Sequence, residues 1–284
     1  MSTPQNVVSS AVPQVPPPVA TTARREVMGG LAKGLEVLRT FSRTRPHMTL
    51  SEIAARAGLP AATARRCLNT LEELGYVARN GRQFMLRPPV LEIGAVYIES
   101  MDIPTVTRTK LEELALASHG SSAMTVLSGT GIVFVARASA RTLALRWEAH
   151  IGTRMAAHAT AMGKVLLAGL SPARLAAYFA QAKLERYTDH TITDRAVLQQ
   201  QIEAARRDGY AVAEEEISEG VASIAVPVHD GTGRVVASVN TSVHAHEATA
   251  TELVARHLGA LREAGMAISA EVARVPGLSL STHL

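Results

Sequence analysis

Apolar residues recur every three or four positions in three successive segments of the first ninety residues. This period predicts amphipathic helices over residues 30–42, 50–57 and 60–74. Gly58 and Gly75 follow the second and third segments, where glycine commonly ends a helix. The pattern therefore predicts a small three-helix domain whose second and third helices are separated by a tight turn. The core-forming side of the first helix is predicted to carry Leu31, Leu35, Leu38 and Phe41.

After the third helix the period changes from helical to alternating. Residues 76–79 and 82–86 each predict a short strand, and Asn80-Gly81 between them is well suited to a two-residue type I′ turn. Both predicted strands carry an arginine beside the turn. Two helices joined by a tight turn and followed by a basic hairpin are the layout of a winged helix-turn-helix, which docks on DNA.

The third predicted helix has one apolar side, so its polar side chains project from the other. Arginine can form paired hydrogen bonds to guanine and asparagine to adenine, so we predict base contacts from Arg65, Arg66 and Asn69. Two adjacent arginines alone would indicate only a solvated helix face, but the complete motif favours DNA binding. Hydroxyl groups, helix N-termini and cations suit phosphate oxygens. The predicted contacts to the DNA backbone are Thr49, Ser51, Thr63, Arg79 and Arg82.

Positive charge is concentrated in the same segment. Residues 24–87 contain twelve Lys and Arg against five Asp and Glu, whereas the whole chain has 29 against 25. The rest of the chain is therefore slightly acidic, although the whole chain carries a net charge of +4. This distribution predicts DNA binding that weakens steeply as salt is added.

The composition is that of a globular protein of about two domains, with 284 residues, 47% apolar and 19% charged. Residues 1–23 have no charged residue and are rich in Pro, Ser, Thr and Val, which predicts a disordered tail rather than a signal peptide. The single cysteine, Cys67, excludes an internal disulfide and a thiolate zinc site. Without a long apolar run or a Gly-rich phosphate loop, we expect a cytoplasmic protein with no membrane contact, cofactor or metal.

Beyond residue 88 the pattern predicts a connector and then a larger mixed domain. Residues 90–101 predict a helix that is apolar on much of its surface, which suits contact with a partner subunit or packing within one subunit. Hairpin-linked strands then lie between helices, the pattern of an α+β domain with an antiparallel sheet. The predicted strands are residues 123–127, 132–138, 143–147, 210–214, 222–229 and 235–243. The predicted helices are residues 106–118, 160–168, 172–181, 195–208 and 248–273.

Several short motifs occur in the order and spacing of one protein family. They are residues 50–54, 58–60 and 71–76 near the front, and then 158–164, 191–194, 209–211, 214–216, 220–221 and 226–228. Through them the chain, from about Leu31 to Ala273, resembles transcriptional regulators of the IclR family. The resemblance implies a winged helix-turn-helix joined by a linker helix to a GAF-like effector domain, assembly into dimers or tetramers, and binding to palindromic promoter DNA. The boundaries that follow are a tail at 1–23, a DNA-binding domain at 24–87, a linker helix at 88–103, an effector-binding and oligomerisation domain at 104–275 and a tail at 276–284.

Residues 239–245 resemble the branch of that family that senses protocatechuate, p-hydroxybenzoate and related intermediates of aromatic-acid catabolism. The family's ligand sites map here to Ala161, Met162, Ser223, Asn240 and Ser242. Where many relatives have an aspartate before the acidic run, this chain has Ala213, so that polar contact is absent.

The chemistry of these positions suits a small organic acid. Free amides and the dipole at the start of the helix at 160–168 favour a carboxylate. Met124 and Met162 can pack against a ring, and the serine and asparagine side chains can bond ligand oxygens. Serine and asparagine at the end of a sheet can equally cap the local backbone, and this alternative stays open.

The remaining polar groups do not predict a metal site, a catalytic carboxylate pair or a definite anion site. The ten histidines lack the spacing of a metal site on one helix face. The run Glu214-Glu215-Glu216 is interpreted as solvated with one structural ion pair. Arg137, Arg146 and Arg154 can hold an anion or lie at exposed positions.

The pattern therefore predicts a ligand-responsive DNA-binding regulator and no enzyme. Two rivals remain. A DNA-tethered enzyme would need a nucleophile and base or a metal set, and no such spacing occurs. An architectural DNA-binding protein would use its second half for oligomerisation alone.

Overall fold

The computed structural model describes residues 28–42, 44–100, 105–140 and 149–274. These form two compact units that divide between Val90 and Leu91. The predicted tails, and the predicted strand at 143–147 with Arg146, lie outside the described residues.

The N-terminal unit is a winged helix-turn-helix, as predicted. Its three strands form one antiparallel sheet in which β3 lies between β1 and β2. β1 was not predicted because three residues are too few to show an alternating period. The elements are α1 (Gly29–Arg39), β1 (His47–Thr49), α2 (Leu50–Arg56), α3 (Ala61–Glu73), β2 (Val77–Asn80) and β3 (Gln83–Leu86).

Glycine ends both helices of the helix-turn-helix. Gly58 and Gly75 have φ values of +62° and +80°, a left-handed conformation that glycine adopts without strain. After Gly58, the amide of Leu59 donates to the carbonyl of Ala54 at 2.9 Å, and the chain makes the equivalent bond after Gly75. This pattern satisfies carbonyl groups at the end of the helix and turns the chain sharply.

α1 covers the core only with its C-terminal half. Val37 is fully buried, and Leu38 and Phe41 are partly buried beside it. The prediction that Leu31 and Leu35 also face the core is wrong, since their side chains are 61% and 44% exposed. The helical period identified one apolar side of α1 but not how far along the helix a neighbour covers it.

The hairpin turn lies one residue later than predicted. Asn80 pairs with Gln83 at the end of the ladder, so the two-residue loop is Gly81-Arg82 rather than Asn80-Gly81. Gly81 has a φ of +60°, whereas Arg82 is not among the described residues with positive φ. A positive φ at only the first loop position is the pattern of a type II′ turn rather than type I′.

The C-terminal unit is an α+β domain built on one six-stranded antiparallel sheet. The strand order is β6-β5-β4-β9-β8-β7. Within the described residues the predicted elements are confirmed. An additional edge strand, β6, was not predicted because it has only three residues. The elements from the connector onward are α4 (Pro89–Ser100), α5 (Thr105–Ser118), β4 (Ser121–Ser128), β5 (Gly131–Ser139), β6 (Arg154–Ala156), α6 (Ala161–Ala168), α7 (Pro172–Gln181), α8 (Arg195–Asp208), β7 (Ala211–Glu214), β8 (Val221–His229), β9 (Val235–His244) and α9 (Ala250–Val272).

Helices cover both faces of this sheet. α5 and α9 pack on one face over the first apolar core, and α6 and α8 belong to a second core on the other face. Strands buried on both sides expose neither face to water, which explains why β4 and β9 read as nearly continuous buried runs. None of the helices in the described ranges is long and apolar enough to cross a bilayer.

The connector helix α4 is packed within the subunit over only part of its surface. Tyr97 and Ile98 pack against the first core of the C-terminal unit. Leu91, Ile93 and Val96 are more than half exposed. One part of the helix is therefore packed within the subunit, and another part presents apolar side chains to its surroundings.

Candidate DNA-binding surface and effector cavity

α3 has one buried side and one cationic side. Ala64 and Leu68 are fully buried, whereas Arg65, Arg66 and Asn69 are exposed. Within the described ranges neither guanidinium group has an ion-pair or hydrogen-bond partner. Both guanidinium groups are therefore free to meet bases, as the predicted role requires.

The five residues predicted to contact phosphates differ in their exposure and in the partners that they already have. Ser51 is exposed and Thr63 half-buried, while the hydroxyl of Thr49 forms a capping box with Glu52 at the start of α2. The Arg79 guanidinium lies 4.0 Å from the Glu72 carboxylate, and both side chains are more than a third exposed, so the pair is weak and can be exchanged for a contact to phosphate. Arg82 is exposed in the hairpin loop.

The C-terminal unit encloses a cavity of ≈ 720 Å³, counting its mouth, between the sheet and the start of α6. Five of the six predicted effector contacts line the cavity, and they are Ala161, Met162, Ser223, Asn240 and Ser242. Other lining residues are Ser121, Ala123, Phe134, Arg137, Met155, Ala213 and Glu216.

Met124 does not line the cavity, so its predicted contact with a ligand ring is corrected. Successive side chains of a strand point to opposite faces of the sheet. Ala123 of β4 faces the cavity, and Met124, which is 1% exposed, belongs to the first core under α5 and α9. The sequence shows two buried faces here but does not show which one encloses the cavity.

A polar network forms one wall of the cavity. Asn240 is buried, and its Oδ1 accepts from the amide of Ala123 at 2.9 Å. Its Nδ2 donates to the hydroxyl oxygens of Ser223 at 3.2 Å and Ser242 at 2.6 Å. Because both serine oxygens accept from the amide, their hydroxyl protons remain able to donate into the cavity. The network thus fixes Asn240 and leaves both serine hydroxyl protons available to a ligand.

The start of α6 adds backbone donors to the same cavity. The hydroxyl of Thr160 caps the helix by accepting from the amide of Gly163 at 3.1 Å. Among the described atoms, the amides of Ala161 and Met162 have no acceptor. Free amides at a helix N-terminus carry partial positive charge and favour an anion.

Arg137 adds a cation to the lining of the cavity, whereas the sequence left open whether it holds an anion or lies at an exposed position. It pairs in register with Ala123 on β4, and Ala123 pairs with Asn240 on β9, so the three positions form a row across adjacent strands. Arg137 is half-buried, and no carboxylate of the described residues lies within ion-pair distance of it. The other arginine considered, Arg154 on β6, lies outside this cavity.

The prediction that the run Glu214-Glu215-Glu216 is solvated is wrong, because each glutamate has its own hydrogen-bond or ion-pair partner. Glu214 accepts from the amide of Ala250 at the start of α9. Glu215 accepts from the amide of Gly220. Glu216 is buried and forms an ion pair with Lys164 of α6. The one predicted structural ion pair exists, but it is internal and joins residues far apart in the sequence.

Burial disfavours charge on both members of this pair. Burial raises the pKa of the Glu216 carboxyl, and the nearby ammonium of Lys164 opposes that rise. Burial likewise lowers the pKa of Lys164, and the carboxylate opposes it. The ammonium also donates to the carbonyl of Val212 at 3.2 Å and to the side-chain oxygen of Gln201, so it has an acceptor for each proton.

Two family models match the two units in order. The IclR helix-turn-helix domain matches residues 30–81, and the bacterial transcriptional regulator IclR C-terminal domain matches residues 95–270. The matched family and relatives are transcriptional regulators, which confirms the prediction that the chain is not an enzyme.

Individual relatives cover nearly the whole chain. The Pca regulon regulatory protein of Pseudomonas putida is 33% identical over 263 residues, covering 90% of each chain. The p-hydroxybenzoate hydroxylase transcriptional activator of Acinetobacter baylyi is 32% identical over 219 residues, 76% of this chain and 81% of the relative. An IclR homologue from Microbacterium hydrocarbonoxydans, solved with 4-hydroxybenzoate, superposes with a TM-score of 0.70 at 26% identity, covering 86% of this chain and 99% of that one. With both domains matched in order, the chain belongs to the IclR family of bacterial transcriptional regulators.

Proposed function

We propose that this regulator binds a small aromatic carboxylic acid in the cavity of its C-terminal unit and controls genes for the catabolism of such acids. The observation that carries the proposal is the presence of several hydrogen-bond donors around a largely apolar cavity: two serine hydroxyls, the amides at the start of α6 and Arg137. A carboxylate uses the donors, and a ring fills the apolar remainder. The names of the Pseudomonas and Acinetobacter relatives, and the 4-hydroxybenzoate in a similar structure, support this ligand class.

The carboxylate is proposed to lie between Arg137 and the start of α6. Charge-assisted hydrogen bonds are about twice as strong as neutral ones, and a half-buried arginine is desolvated enough to make them. Ser223 and Ser242 donate to the same oxygens from the sheet, while Phe134, Met155 and the side chain of Met162 surround the ring. Apolar atoms around a charged group also strengthen its electrostatic contacts.

Calorimetric titration of 4-hydroxybenzoate into the full-length protein tests this site. Replacing Arg137→Ala should weaken binding about 10- to 100-fold, because a hydrogen bond to a charged group contributes about 1.5–3 kcal/mol. Arg154→Ala is the matched control, since that exposed arginine lies outside the cavity. Equal affinities of wild type and Arg137→Ala would contradict the proposed carboxylate position.

The N-terminal unit is proposed to insert α3 into the major groove of promoter DNA, with the hairpin against the backbone. Arg65, Arg66 and Asn69 then read bases, and Thr49, Ser51, Thr63, Arg79 and Arg82 position the domain. Arg65→Ala or Arg66→Ala should reduce the preference for operator over random DNA by about 1–3 kcal/mol. Arg56→Ala, an exposed arginine of α2, is the control. An unchanged preference in both α3 variants would remove α3 as the reader.

Self-association is proposed to cover the apolar side chains that the subunit leaves exposed. The exposed fractions are above two-fifths for Met28, which precedes α1, for Leu31 and Leu35 on α1, and for Leu91 and Val96 on α4. Large exposed apolar patches on a subunit commonly mark a protein interface. A homodimer or homotetramer acting in the cytoplasm would place two readers on two half-sites of one operator. Analytical ultracentrifugation of Leu31→Glu and Leu91→Glu should show smaller species than wild type.

A further inference from the structure

The buried ion pair at the edge of the effector cavity leaves one oxygen without a partner. The side chain of Glu216 is 8% exposed, and its Oε1 accepts from the ammonium of Lys164. Its Oε2 is buried and has no hydrogen-bond partner among the described residues. The ammonium cannot supply one, because its other two protons are directed to Gln201 and to the carbonyl of Val212. An unpaired buried carboxylate oxygen is unfavourable, so a group that donates to it gains affinity.

Glu216 is one of the residues that line the cavity. It follows β7, the last strand of the sheet, whereas Arg137 lies on β5, four strand spacings of about 4.8 Å away. The cavity thus has a cation towards one edge of the sheet and a hydrogen-bond acceptor towards the other. A ligand carboxylate is repelled by Glu216 and attracted by Arg137, which orients any acid that enters.

We propose that Glu216 determines effector specificity by accepting a hydrogen bond from an O–H or N–H group that the acid carries away from its carboxylate. The inference rests on the proposed function and adds to it a requirement for a donor substituent. An acid without that substituent leaves the buried oxygen unpaired in the complex. Sites built to bond a ligand hydroxyl discriminate strongly against analogues that lack it.

The test compares matched acids on the full-length protein by calorimetry. 4-Hydroxybenzoate, 3-hydroxybenzoate and 4-aminobenzoate carry a donor, while benzoate and 4-fluorobenzoate do not. We expect the best donor acid to bind wild type at least about 10-fold more tightly than the two acids without a donor. If benzoate or 4-fluorobenzoate binds as tightly as every donor acid, the inference is overturned, although the proposed function stands.

Two variants assign the preference to Glu216. Glu216→Gln keeps an acceptor for Lys164 but places an N–H group where Oε2 was, so the preference for donor acids should fall about 10-fold. The double change Lys164→Met with Glu216→Leu removes both charges together, which buried ion pairs tolerate better than loss of one partner. It should bring the ratio of donor to non-donor affinity close to one, while benzoate still binds.

The controls separate this inference from the proposed function. Glu215→Gln changes the neighbouring, more exposed glutamate and should keep the wild-type ratio. If Glu216→Gln keeps the wild-type ratio of donor to non-donor affinity, Glu216 does not determine effector specificity. Wild-type protein that binds none of the five acids overturns both the proposed function and the inference. Arg137-dependent binding with no donor preference overturns the inference alone.

Discussion

At the scale of single residues, His158 ties the stability of the effector domain to pH. Its side chain is 1% exposed, and Nε2 donates to the carbonyl of Glu185 at 3.0 Å. Burial lowers its pKa below the ordinary value of 6.5. The folded state therefore holds the imidazole neutral, while the unfolded chain takes up a proton first as pH falls.

Lowering the pH should therefore destabilise the folded state through His158. The contribution of His158 is complete above about pH 6.5 and is lost as pH falls from that value through the lowered folded-state pKa. Urea unfolding of His158→Asn between pH 8 and 5 should show a flatter loss of stability than wild type. His150→Asn replaces an exposed histidine and should keep the wild-type slope. Parallel pH profiles for wild type and His158→Asn would contradict this linkage.

Two helical glycines provide a second, matched prediction. A Cβ at Gly163 of α6 would lie 2.0 Å from the carbonyl oxygen of Ala157, whereas a Cβ at Gly259 of α9 would meet nothing within 4 Å. Gly163→Ala should therefore destabilise by about 1–3 kcal/mol through overpacking against backbone. Gly259→Ala should stabilise by about 0.5–1 kcal/mol, since alanine favours a helix interior. Thermal unfolding measures both.

Gly163→Ala should also disturb the effector cavity, because α6 can accept a methyl group at Gly163 only by moving away from Ala157. Ala161 and Met162 at the start of α6 line the cavity, so their amides would move too. Gly163→Ala should bind 4-hydroxybenzoate more weakly than Gly259→Ala. Equal affinities would show that α6 shifts without disturbing the donors.

The candidate site shows which residues a single sequence can identify. Ser223, Asn240 and Ser242 were predictable because the family resemblance placed ligand contacts there. Polarity alone would not have separated them from Ser238 and Thr241 of β9, which do not line the cavity. Glu216 and Lys164 were not, because their ion pair joins positions 52 residues apart and its burial depends on how α6 packs against β7. A lysine within the apolar run 161–168 was the available signal, since such a group needs a buried partner.

At the scale of elements, the sequence predicted long helices closely and short strands poorly. The bounds of α7 and α8 coincide with the predicted ranges, because each has a capping residue at its start and several turns of periodic apolar positions. β1 and β6 have three residues each and exist only through pairing with β3 and β5. Pairing between distant segments leaves no periodic signal in so short a strand.

The hairpin turn offers an element-scale prediction. Gly81 has positive φ, while Asn80 belongs to the strand ladder opposite Gln83. Gly81→Ala should destabilise the N-terminal unit by about 1–2 kcal/mol, because a Cβ is disfavoured in that conformation. Asn80→Ala should cost little. In the type I′ turn expected from sequence, both residues would have positive φ and both changes would cost stability. Chemical unfolding of the two variants distinguishes the two turns.

At the scale of the whole molecule, the excess positive charge and the effector cavity belong to different units. Residues 24–87 hold the positive charge, and the cavity lies wholly in the C-terminal unit. α4 connects the units along the chain and packs on the C-terminal core through Tyr97 and Ile98. An effector can therefore change DNA affinity only by favouring one state of the protein over another, a coupling that must act in both directions.

This reciprocity makes the final prediction quantitative. If 4-hydroxybenzoate changes operator affinity tenfold, a coupling of about 1.4 kcal/mol, then saturating operator DNA must change the affinity for 4-hydroxybenzoate by the same tenfold factor. Arg65→Ala should bind the acid as wild type does, yet lose the response of that affinity to DNA. Arg137→Ala should bind operator normally but require more acid for the same change.

The measurement is a pair of titrations on one preparation, acid with and without operator and operator with and without acid. Random DNA of the same length serves as the control for nonspecific phosphate contacts, which carry no sequence information. Unequal factors in the two directions would show that some acid binds outside the linked site. A change in operator affinity that survives in Arg137→Ala at wild-type acid concentrations would place the responsive site elsewhere than the cavity under α6.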